Sequence, residues 1–241
     1  LLATGYEALS PWSSAFGKTH WHGDASRRVV AITFDDGPNG DVTGRILDIL
    51  KRERVHATFF LVGENVRRDP ATAARIAREG HVVGNHSDTH PMGFGLLPAD
   101  TIRRELGRAE RSIAAATGEA PRYFRPPQGI RSPWLSQALA ADSLVDVTWD
   151  DAPRDWNRRT PDELVRDTIA HAHPGAIILL HDGLENATGI SRDPTVEALP
   201  GIIEGLRAKG YAFVTVADLL RDEPALAAAP GSGGSSSLAA R

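Results

Sequence analysis

The stretch VVAITFDDGPNG, residues 29–40, decides how this chain reads. Its first six residues form an apolar run rich in β-branched side chains, with the length and composition of a short buried strand. The run stops abruptly at Asp35 and Asp36, which are followed by Gly37 and Pro38. Two carboxylates therefore stand at the C-terminal lip of a strand, where successive side chains leave in opposite directions. Adjacent like charges repel, and a cation, an arginine, or one of each would hold both ionised. A bare DDGP also fits a solvated turn closed by Gly and Pro, so the rest of the chain must supply partners for the two acids.

Outward from this strand one pattern recurs: an apolar run, a polar turn, then an amphipathic stretch. VVAITF is followed by VTGRILDILKRE, HATFFLV by RDPATAARIAREG, and HVVGNH by PADTIRRELGRAERSIAAATG. YFRPP is followed by SPWLSQALAA, SLVDVTW by TPDELVRDTIAHA, GAIILL by PTVEALPGIIEGLRAKG, and YAFVTV by ADLLRDE. Strands alternating with helices imply parallel pairing through right-handed crossovers. About seven units predict a closed or nearly closed α/β barrel in a single domain rather than an open sheet. Asp69-Pro70 and Thr160-Pro161 open helices, the second with Glu163 at the capping-box position, and Gly80, Gly118 and Gly210 end theirs.

Three regions follow. Residues 1–28 form an extended lead-in with Tyr6, Trp12, Phe16 and Trp21, residues 29–221 the barrel, and residues 222–241 an Ala/Gly/Ser-rich flexible tail. The chain starts at Leu1 rather than Met, and LLATGYEALS is read as the end of a segment removed or used as an anchor. With 241 residues, 41% of them hydrophobic, the chain can bury a sizeable core. A net charge of -4, without clustered arginines, gives no footprint for nucleic acid. No window approaches the roughly 20 apolar residues of a membrane span. Cysteine is absent, so metal ligands must be His, Asp or Glu.

In a parallel barrel the functional groups gather at the C-terminal ends of the strands. Those ends hold Asp35 and Asp36, His86 and His90, Arg125, Asp155 with Trp156, and His181 with Asp182. In NHSDTH the two histidines stand four apart, which on a helical turn puts both imidazoles on one face. With a carboxylate from the first strand they make an Asp-His-His set, leaving positions open for water and substrate as catalytic metal sites do. Mixed N and O ligands suit Zn or another divalent first-row ion. Arg125 opens RPPQG, where two prolines leave Gln128 as the first residue with a free backbone N–H; the arginine is placed to clamp one of the paired acids. Five apolar residues run straight into His181, with Asp155 and Asp182 as possible partners. His56, His81, His171 and His173 read as structural; His20 and His22 read as strand-like alternation, and Trp134 as helix packing.

TFDDGP, HSDTH, RPPQG, the Asp155-Trp156 pair and ILLHD occur in the order and spacing of the five motifs of the NodB-homology polysaccharide deacetylases, carbohydrate esterase family 4, which the chain resembles over roughly residues 28–220. The resemblance implies a distorted (β/α) barrel, commonly of seven strands, and a metal-dependent hydrolase that removes acetyl groups from sugars. It implies Asp35 as general base, and Asp36, His86 and His90 as ligands of Zn or of Co, Ni or Mn. His181 corresponds to the general acid, Arg125 to the residue holding Asp35, and Asp155 to the residue tuning His181. Trp156 and Leu179 correspond to the pocket for the acetyl methyl, and the Gln128 backbone N–H to an oxyanion donor. Two positions depart from the pattern. Ala152 stands where the family often has an Asp, with Asp151 one residue early, and Gln128 stands where many relatives carry an aromatic residue.

The expected substrate is an N-acetylated oligo- or polysaccharide of chitin, chito-oligosaccharide or peptidoglycan type. Acetylxylan is the alternative, with cyclic amides or silent carbohydrate binding behind it. The substrate class implies an extracellular or cell-envelope location, and a monomer is expected.

Overall fold

The structure, a computed structural model, describes residues 8, 10, 12–183 and 191–221. Tyr6 and the 222–241 tail lie outside the described residues. The central strand is β1 (Val29–Asp35), paired in parallel with β2 (Thr58–Leu61) and β6 (Ile177–His181). Beyond β2 lie β3 (Val82–Asn85), β4 (Tyr123–Phe124) and β5 (Val145–Asp146), while β7 (Ala212–Phe213) pairs with the start of β1. The order is β5-β4-β3-β2-β1-β6, and every ladder is parallel.

The sheet curls into a barrel that is distorted and incompletely closed. The seam between β5 and β6 is joined by a single bridge, Asp151 to Ile178, instead of a ladder. The lead-in covers that seam: His20 bridges to Val147 and His22 to Ala176. Buried Arg131 ties down the same segment, donating to the carbonyls of Ser13 and Gly17 and to Asp146.

Helices α1 (Gly40–Glu53), α2 (Gly63–Arg68), α3 (Pro70–Arg78), α4 (Ala99–Thr117), α5 (Pro133–Ala141), α6 (Pro161–His171), α7 (Asp193–Ala208) and α8 (Val216–Leu219) fill the connections. The expected start signals act as caps. Asp69 accepts from the Thr72 N–H at 3.1 Å, and Thr160 with Glu163 forms a reciprocal capping box. Helix α2 has no sequence signal of its own, because GENVRR has no apolar period. It is held by tertiary contact: a Cβ on Gly63 would stand 2.7 Å from the Ala109 Cα.

The period of two along β1 and β6 sorts their side chains. Val30, Ile32, Phe34, Ile178 and Leu180 face the helices and pack with Leu47, Leu50, Leu199 and Ile202. Ala31 and Ile177 face inward with Phe60, Tyr123 and Val147, and α8 closes the base of this inner core with Val216 and Leu219. The same inward face continues upward as Thr33 and Asp35 on β1, in register with Leu179 and His181 on β6. Alternation thus delivers two apolar layers below and a line of functional side chains above.

Candidate active site

Asp35 and Asp36 part company at the end of β1. Asp35 keeps the strand's inward direction, while Asp36 takes the left-handed backbone region at φ 73°, which Asp tolerates better than most residues. Both are buried. Arg125 meets Asp35 from β4: its Nη1 donates to Asp35 Oδ1 at 2.8 Å and to Thr33 Oγ1 at 2.7 Å. Its remaining donors reach the carbonyls of Val147 and Thr148, and its guanidinium lies 4.2 Å from the Phe60 ring centroid. A planar fork with every edge occupied cannot swing away. Burial raises the Asp35 pKa and the Asp36 charge adds to this; Arg125 and His181 oppose the rise.

The HSDTH segment is a knot of hydrogen bonds rather than the helical turn expected from its spacing. Ser87 and His90 both have positive φ, at 70° and 50°. Asn85 Oδ1 accepts from the Ser87 N–H at 2.8 Å, and Ser87 Oγ accepts from the His90 N–H at 3.0 Å. Asp88 is no ligand; it forms a two-pronged ion pair with Arg67 of α2. Glu105 of α4 accepts from the backbone and hydroxyl of Thr89. These ties bring the two imidazoles to 4.9 Å between ring centroids.

Asp36 Oδ1 is buried and accepts no hydrogen bond, a costly state for a carboxylate oxygen. The Nε2 atoms of His86 and His90 point at it from 3.5 and 3.4 Å. All three ligand atoms lie within 4.8 Å of one another. Ligands about 2.1 Å from one tetrahedral ion stand about 3.4 Å apart, so the group fits a divalent cation. His86 Nδ1 contacts the Arg125 carbonyl at 2.7 Å, which fixes the proton there and leaves Nε2 a lone pair. Burial, with His90 beside it, pushes the His86 pKa well down, which favours the neutral form that binding a metal requires. His20, His22, His56, His81, His171 and His173 do not join this cluster.

His181 enters from β6, next to Asp35 in the ladder. Asp155 accepts from His181 Nδ1 at 2.7 Å and from the His181 backbone N–H at 2.8 Å. Burial works to lower the His181 pKa, but the carboxylates of Asp155, Asp36 and Asp35 prevail and push it up to about 9. The Trp156 ring stands edge-on to the imidazole at 5.4 Å, and Leu179 lies one inward position below on the same strand. Asp182, weighed as a second partner, turns the other way and accepts from Thr43 of α1 at 2.6 Å. Asp151 does not take the place of the acid missing at Ala152. The carboxylates near it are Asp150 and Asp167, and its carbonyl accepts from the Leu179 N–H at 2.8 Å.

Gln128 stands at φ 54° in the turn after β4. Its side chain accepts from the Gly93 N–H at 3.1 Å and lies 3.3 Å from His90 Nδ1, a contact the motif does not announce. Sequence reasoning also missed Arg192, which is buried and donates to the carbonyls of Asp155 and Gly183, and Thr195, which donates to Asp155 Oδ2 at 2.9 Å. No local pattern marks either residue; their partners are distant in the chain. Trp134, expected to pack, is 51% exposed.

Known proteins resemble this chain in both sequence and architecture. The profile of the polysaccharide deacetylase family matches residues 22–147, over half of the chain. A chitooligosaccharide deacetylase of Bradyrhizobium sp. is 41% identical over 201 residues, covering 79% of this chain and 90% of its own. A peptidoglycan-N-acetylglucosamine deacetylase of Bacillus cereus is 36% identical, covering 83% of this chain and 70% of its own. The crystal structure of a peptidoglycan N-acetylglucosamine deacetylase in complex with an N-hydroxybenzamide superposes with a TM-score of 0.77 at 36% identity, over 83% of this chain and 92% of that one. Sequence, fold and the Asp-His-His cluster agree, and the chain belongs to the polysaccharide deacetylase family, the NodB-homology hydrolases of carbohydrate esterase family 4.

Proposed function

We propose that this chain removes the acetyl group from N-acetylglucosamine units of a chito-oligosaccharide or peptidoglycan-type glycan, outside the cytoplasm, with a divalent metal. The observation that carries the reading is the convergence of orphaned Asp36 Oδ1 with two imidazole Nε2 atoms, directly beside an Asp35–His181 pair on neighbouring strands. The names of the relatives support the substrate class.

Asp36, His86 and His90 would hold the metal, zinc or another divalent first-row ion such as cobalt, nickel or manganese. A cation bound there would supply Lewis-acid chemistry, polarising the acetyl carbonyl and lowering the pKa of a water molecule. Asp35, held by Arg125, takes the proton from the attacking water as the water oxygen bonds to the carbonyl carbon. The negative charge that develops on the carbonyl oxygen is met by the backbone N–H of Gln128. His181, oriented by Asp155, gives its proton to the sugar nitrogen as the C–N bond breaks, releasing acetate and a free amine. Leu179 and Trp156 enclose the methyl group on the β6 side.

Acetate release from an N-acetylglucosamine oligomer and from acetylated xylan, measured in parallel with chelator and after zinc is restored, tests the reading. The expected result is release from the oligomer that stops with chelator and returns with metal. Preferential release from xylan, or release indifferent to chelator, overturns it.

A further inference from the structure

Two loops leave the metal-binding side of the site and run outward together. One follows His90; the other follows β4 through Gln128. The Gln128 side chain accepts from the Gly93 N–H, and Ser132 Oγ donates to the Gly95 carbonyl. Between these ties the backbones touch: a Cβ on Gly95 would stand 2.0 Å from the Ile130 carbonyl oxygen, so only glycine fits. Both loops follow C-terminal ends of strands and lie on the same face as the catalytic groups.

Among the described residues, five large hydrophobic side chains are strongly exposed, and three lie on this loop pair and the first turn of α5. Met92 is 77% exposed, Leu96 54% and Trp134 51%. They are not a frayed core. Phe94, Leu135, Ala138 and Leu139 beneath them form a closed buried cluster with Ile102, Leu106 and Phe124. Neighbouring residues thus satisfy the core, while these three face water on elements anchored to a metal ligand and its partner. Trp156, a fourth exposed side chain, stands instead beside His181.

We propose that Met92, Leu96 and Trp134 form an apolar shelf that binds sugar units flanking the one being deacetylated, an assignment that rests on the glycan deacetylase reading. A pyranose ring presents flat C–H faces and polar edges, and it stacks on a surface of this kind without needing a charge. The occupant is fixed by continuity. The shelf begins two residues after His90 and is tied to that imidazole through Gln128, so it adjoins the place that the acetyl group would enter. Selectivity for longer oligomers then comes from this shelf rather than from the five motifs.

The test compares wild type, Trp134→Ala and Leu96→Ser on an N-acetylglucosamine hexamer, a dimer and an activated aryl acetate. The expected result is a fall of about tenfold in kcat/KM for the hexamer relative to the aryl acetate, carried by KM, with a smaller fall in the dimer-to-ester ratio because a dimer supplies a single flanking sugar. Equal losses on all three substrates show that the substitutions disturb His90 through Gln128, and overturn the proposal. Unchanged hexamer-to-ester ratios in both variants do the same. Hexamer binding measured by calorimetry on the metal-loaded protein separates the shelf from the reaction. Shelf-dependent binding without acetate release would sink the deacetylase reading and keep the shelf, and binding indifferent to both substitutions overturns the shelf. A dimer seen by sedimentation and dissolved by Trp134→Ala assigns the face to a second copy and also overturns it.

Discussion

Asp155 holds His181 at two points, with Oδ1 2.7 Å from the ring Nδ1 and Oδ2 2.8 Å from the backbone nitrogen. One carboxylate therefore sets the ring's tautomer and the position of the strand end that carries it. Thr195 and Arg192 hold Asp155 in turn.

Asp155→Asn is expected to reduce kcat/KM on an N-acetyl glycan by about 10²–10⁴, the usual worth of a general acid. The loss on an aryl acetate should be smaller, because that leaving group needs less protonation. Removing the carboxylate removes the chief attraction that raises the His181 pKa, so the pKa falls. The acid must be protonated to act, and the alkaline limb of the pH–rate profile therefore moves to lower pH. A limb that stays in place would show that Asp155 only secures the strand end.

Asp35→Asn is expected to abolish turnover while metal still binds, since Asp36, His86 and His90 are untouched. Arg125→Met strands the buried Asp35 carboxylate and leaves Thr33, Val147 and Thr148 without their donor. Breaking a buried pair on one side costs about 3–5 kcal/mol, measurable by urea unfolding. A loss below about 1 kcal/mol would mean that the folded protein holds Asp35 uncharged, which would count against its role as the base.

Metal binding should stabilise the fold through the same three ligands. Zinc at 100 times its Kd adds about 2.7 kcal/mol to unfolding. His86→Ala should lose that increment along with activity, whereas His181→Ala should lose activity and keep the increment. Stabilisation surviving in His86→Ala would move the cation elsewhere.

The strand-helix alternation was legible because each apolar run and each cap is local. Asp69, Thr160 and Gly118 end or open helices for reasons contained within a few residues. The site's residue types were legible as well, since acids, histidines and an arginine at strand ends are conspicuous. What the sequence hid is long-range or conformational. The seam closed by His20 and His22 depends on two distant backbones. The spacing of His86 and His90 suggested a helix, yet left-handed Ser87 and His90 make the turn. Trp134 sits in a helix whose core face is filled by Leu135 and Leu139, so periodicity alone could not tell that it points outward.

Asp151 offers a test of electrostatics away from the chemistry. It is buried, its Oδ2 has no hydrogen-bond partner, and burial with the nearby Asp150 and Asp167 charges pushes its pKa up to about 7. Between roughly pH 4 and 7 the folded chain keeps a proton that the unfolded chain has released, so stability falls as pH rises across that window. The contribution is fully present below pH 4 and lost above 7. Asn has no proton to lose, so Asp151→Asn should leave stability nearly unchanged at pH 4 and raise it by at most roughly 4 kcal/mol at pH 8, about three units at 1.36 kcal/mol each. Urea unfolding at the two pH values reads the difference. A gain equal at both would trace the effect to packing instead of charge, and a loss at pH 8 would show that the carboxylate is paired in solution.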